Sequence, residues 1–213
     1  MNLKTDVITI IDYGAGNLTS VQLAFAGLGL DTRTTRQPED IAAAKRIVFP
    51  GVGAAGAAMA YLHQSRLTEV IQMKIAQGVP FLGICLGMQI LLDFSEEDGG
   101  TRCLGSIPGQ VRRFVPSSVK DKVPHMGWNN VSFISQHPLF AGIENESEFY
   151  FVHSYYAVPA RSTHVLGQTS HAGVTFASIV GQDNLIAVQF HPEKSGRIGL
   201  RLLENFSRWG GKC

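Results

Sequence analysis

Charge imbalance, paired cysteines and long apolar runs are all missing from this chain, and each absence closes off a class of function. Eighteen basic residues against 17 acidic leave a net charge of +1, so no polyanion is implied as partner and no nucleic-acid role is expected. Three cysteines (Cys85, Cys103, Cys213) cannot all pair, and none shows a Cys-x-x-Cys spacing, which fits free thiols in a reducing compartment. No apolar run approaches the roughly 18 residues needed to span a bilayer. The first residues also lack a charged-then-apolar signal pattern, so a cytoplasmic protein without membrane association is expected. No repeat, linker or low-complexity segment interrupts the chain. No metal-ligand cluster stands out either, since His191 and Glu193 alone are too few for zinc; neither metal nor cofactor is expected. What is present is 213 residues, 45% of them hydrophobic, enough for one domain over 1–213 with a sizeable core.

The pattern alternates at first between strand and helix. Val7 to Ile11 reads as a buried strand. Leu18, Val21, Phe25 and Leu28 recur at helical spacing and stop near Gly27 and Gly29. A short strand over Arg33 to Thr35, a short helix over Pro38 to Ala44 and a strand over Ile47 to Phe49 follow. A helix over Leu67 to Gln77, closed by Gly78, then feeds another strand. Such alternation predicts an α/β fold whose central sheet is mostly parallel, with helices on both faces. From about Gly105 to Val188 short runs rich in Val, Phe and Tyr, separated by Gly, Pro and Asn, predict an additional antiparallel β region. The C-terminus returns to a helix with Ile198, Leu202, Phe206 and Trp209 on one face.

One cysteine sits where chemistry is expected. In Val79-Pro-Phe-Leu-Gly-Ile-Cys-Leu-Gly-Met-Gln89, an apolar strand runs into Gly83 and an apolar helical pattern (Leu86, Ile90, Leu91) follows Gly87. Glycines on both sides of Cys85 allow a tight strand-to-helix turn, the logic of the Gly-x-Ser-x-Gly elbow with sulfur replacing oxygen. The next N–H lies at a helix start, where it favours developing negative charge. A buried structural cysteine is the alternative. A thiol nucleophile needs a base, and of seven histidines only His191 ends a strong strand pattern, Leu185 to Phe190, before Pro192 turns the chain. Glu193 lies two residues on, on the same side of an extended chain, and would orient the imidazole. A surface turn is the competing account of His-Pro-Glu.

A second motif competes for attention. Gly51-Val-Gly53-Ala-Ala-Gly56 after a strand satisfies the dinucleotide fingerprint Gly-x-Gly-x-x-Gly. Pro50 intrudes at its turn, and the chain's opening strand-helix turn does not carry it. As a lone match it is weak, and a glycine-rich turn into a helix over Ala54 to Ala60 accounts for the same glycines better than dinucleotide binding does.

Gly83-Ile-Cys-Leu-Gly-Met-Gln89 together with Gln189-Phe-His-Pro-Glu193 resembles the class I (triad) glutamine amidotransferases, whose fold is flavodoxin-like. Asp12-Tyr-Gly-Ala-Gly-Asn17, Pro124-His-Met-Gly-Trp-Asn129 and Tyr150-Phe-Val-His-Ser-Tyr155 are similar to the glutaminase-subunit family of imidazole glycerol phosphate synthase. The resemblance runs from about residue 6 to about 209, and Pro124 to Asn129 is its most specific segment. It implies hydrolysis of L-glutamine by Cys85, His191 and Glu193, with the backbone amides of Val52 and Leu86 as oxyanion hole. It implies Gly53, Gln89, Glu97, Ser154 and Tyr155 around the substrate. It also implies a heterodimer with a (β/α)8-barrel cyclase that uses the ammonia in histidine biosynthesis. Asn17, Met126, Trp128 and Lys194 are the interface candidates by the same correspondence.

Bland accounts stand beside several of these. Glu97 lies in the acidic run Ser95 to Asp98, which a solvated loop explains; Trp128 suits a core, and Lys194 suits a solvated charge. Ala15 stands where some relatives carry bulkier residues. Another Cys-His-Glu hydrolase and a non-catalytic binding subunit are the alternative classes.

Overall fold

The computed structural model describes residues 6–14, 17–116 and 121–212; Ala15 and Cys213 lie outside them. The strands are β1 (Ile8–Ile11), β2 (Thr32–Thr35), β3 (Ile47–Gly51), β4 (Phe81–Cys85), β5 (Phe94–Ser95), β6 (Thr101–Arg102) and β7 (Gly109–Arg113). They continue as β8 (His125–Phe133), β9 (Ser147–His153), β10 (Tyr155–Pro159), β11 (Val165–His171), β12 (Val174–Gln182) and β13 (Leu185–Val188). The helices are α1 (Leu18–Gly27), α2 (Pro38–Ala43), α3 (Ala55–Gln64), α4 (Leu67–Ala76), α5 (Leu86–Gln89) and α6 (Gly196–Arg208).

Strand order β2-β1-β3-β4-β13 makes the parallel heart of the sheet. At β13 the pairing reverses: β12 joins it antiparallel, and β10 and β7 continue that way, with short β5 and β6 at the rim. A branch of β11, β8 and β9, also antiparallel, leaves from β12. The expected α/β fold with an antiparallel addition is what the chain adopts.

Period-two alternation explains why both faces are covered. Ile11, Ile47, Phe49 and Phe81 point into one apolar cluster, shared with Ile41 of α2, Met59 and Leu62 of α3 and Ile71 of α4. Ile8, Ile10, Val48, Leu82 and Ile84 point the other way, against Val21 and Phe25 of α1 and Leu202 and Phe206 of α6. Strands buried on both sides read as continuous apolar runs, as here. Each fully buried Phe contributes about 1.5–3 kcal/mol relative to exposure.

Two helical expectations need correction. After the elbow only Leu86–Gln89 is helical. Beyond it Leu91 N–H bonds Met88 O and Leu92 N–H bonds Gln89 O, tightening the chain, while Ile90, Leu91 and Leu92 are all buried. An all-round buried run does not keep the one-sided face that sustains a long surface helix. Trp209, expected on the C-terminal helix face, is instead the residue that ends α6, in extended conformation and buried.

Ligands of open parallel sheets gather beyond the carboxyl ends of the strands. β4 ends at Cys85, neighbouring β3 ends at Gly51, and on the other side β13 leads within three residues to His191. The topology thus gathers three loops at one edge.

Candidate active site

Cys85 takes φ 54° and ψ −109°, positive φ for a residue with a side chain. Such a conformation costs about 1–3 kcal/mol and persists only where surroundings enforce it. They do so through glycine. A Cβ on Gly87 would fall 1.9 Å from Phe49 O, and one on Gly83 2.8 Å from Leu91 Cδ1. The elbow therefore packs directly on its neighbours, and the Cys85 side chain turns into a cavity of about 330 Å³. That volume suits a small polar metabolite. By contrast, burial pushes the thiol of Cys103 up to about 11, which keeps it protonated and unreactive.

His191 lines the same cavity and is buried. It follows β13 and precedes a 3-10 turn over Pro192–Lys194. Glu193 therefore sits in a tight turn and not in the extended chain from which its orientation was expected. The turn still brings Oε1 within 2.7 Å of His191 Nδ1. The same Oε1 accepts from Asn17 Nδ2, also at 2.7 Å. Burial opposes a charged imidazole, yet its interactions with Cys85 and Glu193 together outweigh it and push His191 up to about 10. Among the described residues its buried Nε2 has no partner at hydrogen-bond geometry, and it lines the cavity together with the Cys85 sulfur.

Gln89 lies beneath the cavity, one turn after Cys85. Its Nε2 donates to Tyr155 O at 3.1 Å and to Gln189 Oε1 at 3.0 Å. Both amide hydrogens are spent on protein acceptors, which leaves Oε1 for a ligand. Val52, Gly53 and Leu86 form one wall, and Ser154 and Tyr155 another. The Val52 N–H donates to Tyr13 Oη at 2.9 Å, while Tyr13 returns its hydroxyl hydrogen to Val52 O at 3.0 Å. The Gly51-x-Gly53 segment is thus a wall of this cavity, and a Cβ on Gly51 would lie 2.7 Å from Tyr13 Oη. Glu97 also lines the cavity, half-buried, and its Oε2 accepts from Ala55 N–H at the start of α3 at 2.6 Å. Burial raises its carboxyl above the usual range, with the Ala55 bond opposing.

The remaining sequence candidates lie outside. Met126 and Trp128 on β8 are 64% and 54% exposed, so Trp128 is not a core residue. Its ring meets Tyr150 edge-on at 6.0 Å, and Lys194 Nζ lies 5.9 Å from the Tyr150 ring centre. Asn17 was expected at an interface; its bond to Glu193 was not foreseen. Gln189, Tyr13 and the pair His125–His153 were also missed. For Gln189 a signal existed: a polar residue inside the apolar run Leu185 to Phe190 needs a buried partner.

A thiol on a strained elbow, an imidazole braced by a carboxylate and a small polar cavity, all at the ends of parallel strands, is the arrangement of a triad thiol hydrolase. Comparison with known proteins narrows that class. Residues 9–208 match the family described as "Glutamine amidotransferase class-I". The imidazole glycerol phosphate synthase subunit HisH of Methylococcus capsulatus is 52% identical over 211 residues, 95% of this chain and 96% of that protein. HisH of Moorella thermoacetica is 50% identical over 199 residues, 93% of each chain. More distant solved structures share the fold. A glutamine amidotransferase crystal structure, 18% identical, has a TM-score of 0.71 and covers 96% of this chain and 99% of its own. PurLQS from Thermotoga maritima, 16% identical, has a TM-score of 0.73 with 95% and 97% covered. The chain therefore belongs to the class I glutamine amidotransferase family and, within it, to the HisH subunits of imidazole glycerol phosphate synthase. It is an enzyme with glutamine amidotransferase activity.

Proposed function

We propose that the chain hydrolyses L-glutamine to glutamate and ammonia through a thioester on Cys85. The observation that carries this reading is the convergence of the Cys85 elbow and the bonded His191–Glu193 pair on one cavity. Sulfur attacks the carboxamide carbon, and the carbonyl oxygen takes up the charge. His191, held protonated, gives its proton to the departing ammonia. Neutral His191 then takes a proton from water, whose oxygen attacks the thioester; the C–S bond breaks and its electron pair returns to sulfur. Glu193, itself held by Asn17, keeps Nδ1 protonated and the ring in place.

Gln89 Oε1 accepts from the carboxamide NH2 and so favours glutamine over glutamate. Glu97 takes the α-amino group, and the backbone at Gly53, Ser154 and Tyr155 takes the remaining polar ends. Leu86 N–H stabilises the oxyanion at the start of α5. The Val52 N–H joins it when it exchanges Tyr13 Oη for the oxyanion.

The ammonia passes to a synthase partner, a (β/α)8-barrel cyclase bound as a heterodimer in the cytoplasm, in histidine biosynthesis. Two curated relatives carry the name of a synthase subunit. Exposed Met126 and Trp128, with Lys194 and Asn17 near the same edge, form the docking surface. The test is glutamate release by the purified chain, alone and with the cyclase and its ribonucleotide acceptor. Weak release alone that rises strongly in the loaded complex is expected. No release from folded, reduced protein in either setting would sink the assignment.

A further inference from the structure

Gln189 has no part in the chemistry described so far, yet it is completely buried and its amide nitrogen lies 3.6 Å from Cys85 Sγ. A side-chain amide has two ends, and which one faces the sulfur decides its effect. Here chemistry forces the answer. The Tyr155 carbonyl only accepts, so the Gln89 atom 3.1 Å from it is the NH2 group. That group gives its other hydrogen to Gln189 at 3.0 Å, which turns the oxygen of Gln189 toward Gln89 and its NH2 toward the sulfur.

The same carbonyl orders the network on its far side. It accepts from His153 Nδ1 at 2.7 Å, so His153 Nε2 accepts from His125 Nδ1 at 2.9 Å. His125 Nε2 in turn accepts from Asn129 Nδ2 at 3.1 Å, and Asn129 Nδ2 also donates to Ser170 O at 3.0 Å. Each direction of donation from Asn129 to Cys85 follows from one carbonyl oxygen, and none conflicts with another.

We propose that Gln189 is a further catalytic residue of glutamine hydrolysis, donating an amide hydrogen to the Cys85 sulfur whenever that atom bears negative charge. The proposal rests on Cys85 being the nucleophile. Gln189 stabilises the sulfur anion before attack. It does so again when the thioester breaks and the C–S electron pair returns to sulfur, with His191 holding the proton taken from water. Sulfur is the leaving group in that second step, so a donor aimed at it speeds deacylation.

The test compares the full chain with Gln189→Met and Gln189→Glu. Met fills the space without a donor; Glu keeps an acceptor for Gln89 but sets an oxygen against the sulfur. Alkylation of Cys85 by iodoacetamide is followed by peptide mass at pH 7 and pH 10, with His191 and Tyr13, the titratable groups that interact with the same sulfur, left intact. Losing one hydrogen bond to a charged atom slows alkylation about tenfold at pH 7 in Gln189→Met. Gln189→Glu is slower still, and the gap closes at pH 10, where thiols ionise unaided. Wild-type rates at pH 7, or an equal slowing at both pH values, would overturn the proposal, the latter by marking a packing role.

Should both variants fail to fold, the labelled wild-type chain still answers. The Gln189 side-chain 15N resonance is expected to move with pH alongside the alkylation rate, and to stay still in Cys85→Ala. A resonance that never moves in the wild type would refute the donor. Failure of glutamate release in the loaded complex would sink the hydrolysis reading separately, since alkylation needs no substrate.

Discussion

Asn17 and His191 bond the same oxygen of Glu193, at 2.7 Å each, and that shared acceptor ties the start of the first helix to the turn after His191. Among the described residues Glu193 Oε2 is buried without a partner, and both bonds fall on Oε1. Removing one charge-assisted bond of this kind costs about 1.5–3 kcal/mol, and each 1.36 kcal/mol is about tenfold in rate. Asn17→Ala is therefore expected to lower kcat for glutamine about tenfold in the loaded cyclase complex, with KM little changed. Steady-state kinetics check this; an unchanged kcat with weaker complex formation would return Asn17 to the interface alone.

Elements are joined here by polar caps as well as by apolar faces. Buried Arg46, just before β3, sends Nη1 to the carbonyls of Phe206 and Trp209 at 2.5 and 2.7 Å, closing the C-terminal end of α6. Its guanidinium also lies 5.3 Å from the Phe206 ring centre. Helix C-termini leave unpaired carbonyls and favour positive charge, so the contact answers both needs. Arg46→Met keeps volume but takes the arginine donor from Trp209 O and leaves Phe206 O with only the Trp209 N–H at 3.2 Å, and is expected to cost about 1–3 kcal/mol. Urea unfolding checks it through a lower midpoint at constant slope. The periodicity of α6 is plain in the sequence, whereas an arginine more than 150 residues earlier in the chain carries no sign that it will cap that helix.

Titration acts on the molecule as a whole. Burial pushes His125 and His137 down to about 4 and His153 down to about 3, while His191 is pushed up to about 10. Unfolded histidine titrates near about 6.5. Below that, the unfolded chain takes up protons that the three lowered histidines refuse, so their contribution is present above 6.5 and is lost as pH falls toward 4 and 3. The contribution of His191 has the opposite sign: complete below 6.5, lost as pH rises toward 10. Stability is thus expected to be greatest near neutrality and to fall on both sides. Urea midpoints across pH check this. His137→Asn, which preserves the acceptor for Leu139 N–H now held by Nδ1, should flatten the acid limb. At the same scale, Trp128→Ala should weaken pairing with the cyclase and leave Cys85 alkylable, because a side chain 54% exposed contributes little to the core. Titration calorimetry and alkylation separate the two effects.

Local signals in the sequence determined much of this protein. Strand and helix periodicity marks the parallel layers, because burial on two faces dictates apolar runs and burial on one dictates a helical stripe. Glycines around Cys85 mark the elbow, because only hydrogen fits against Phe49 O. Pro192 marks the turn at His191, because it ends the ladder. Tertiary structure decided what depends on distant partners. It converted Glu193 from an extended-chain neighbour into a turn residue, and gave Asn17 to Glu193. It set Glu97 against the first turn of α3, held the Val52 amide on Tyr13 and aimed Gln189 at the sulfur. Apart from the local turn at Glu193, each of these is a hydrogen bond between segments far apart in the chain. Periodicity reports which face a side chain occupies, but the identity of the atom it meets there is settled only when the elements pack.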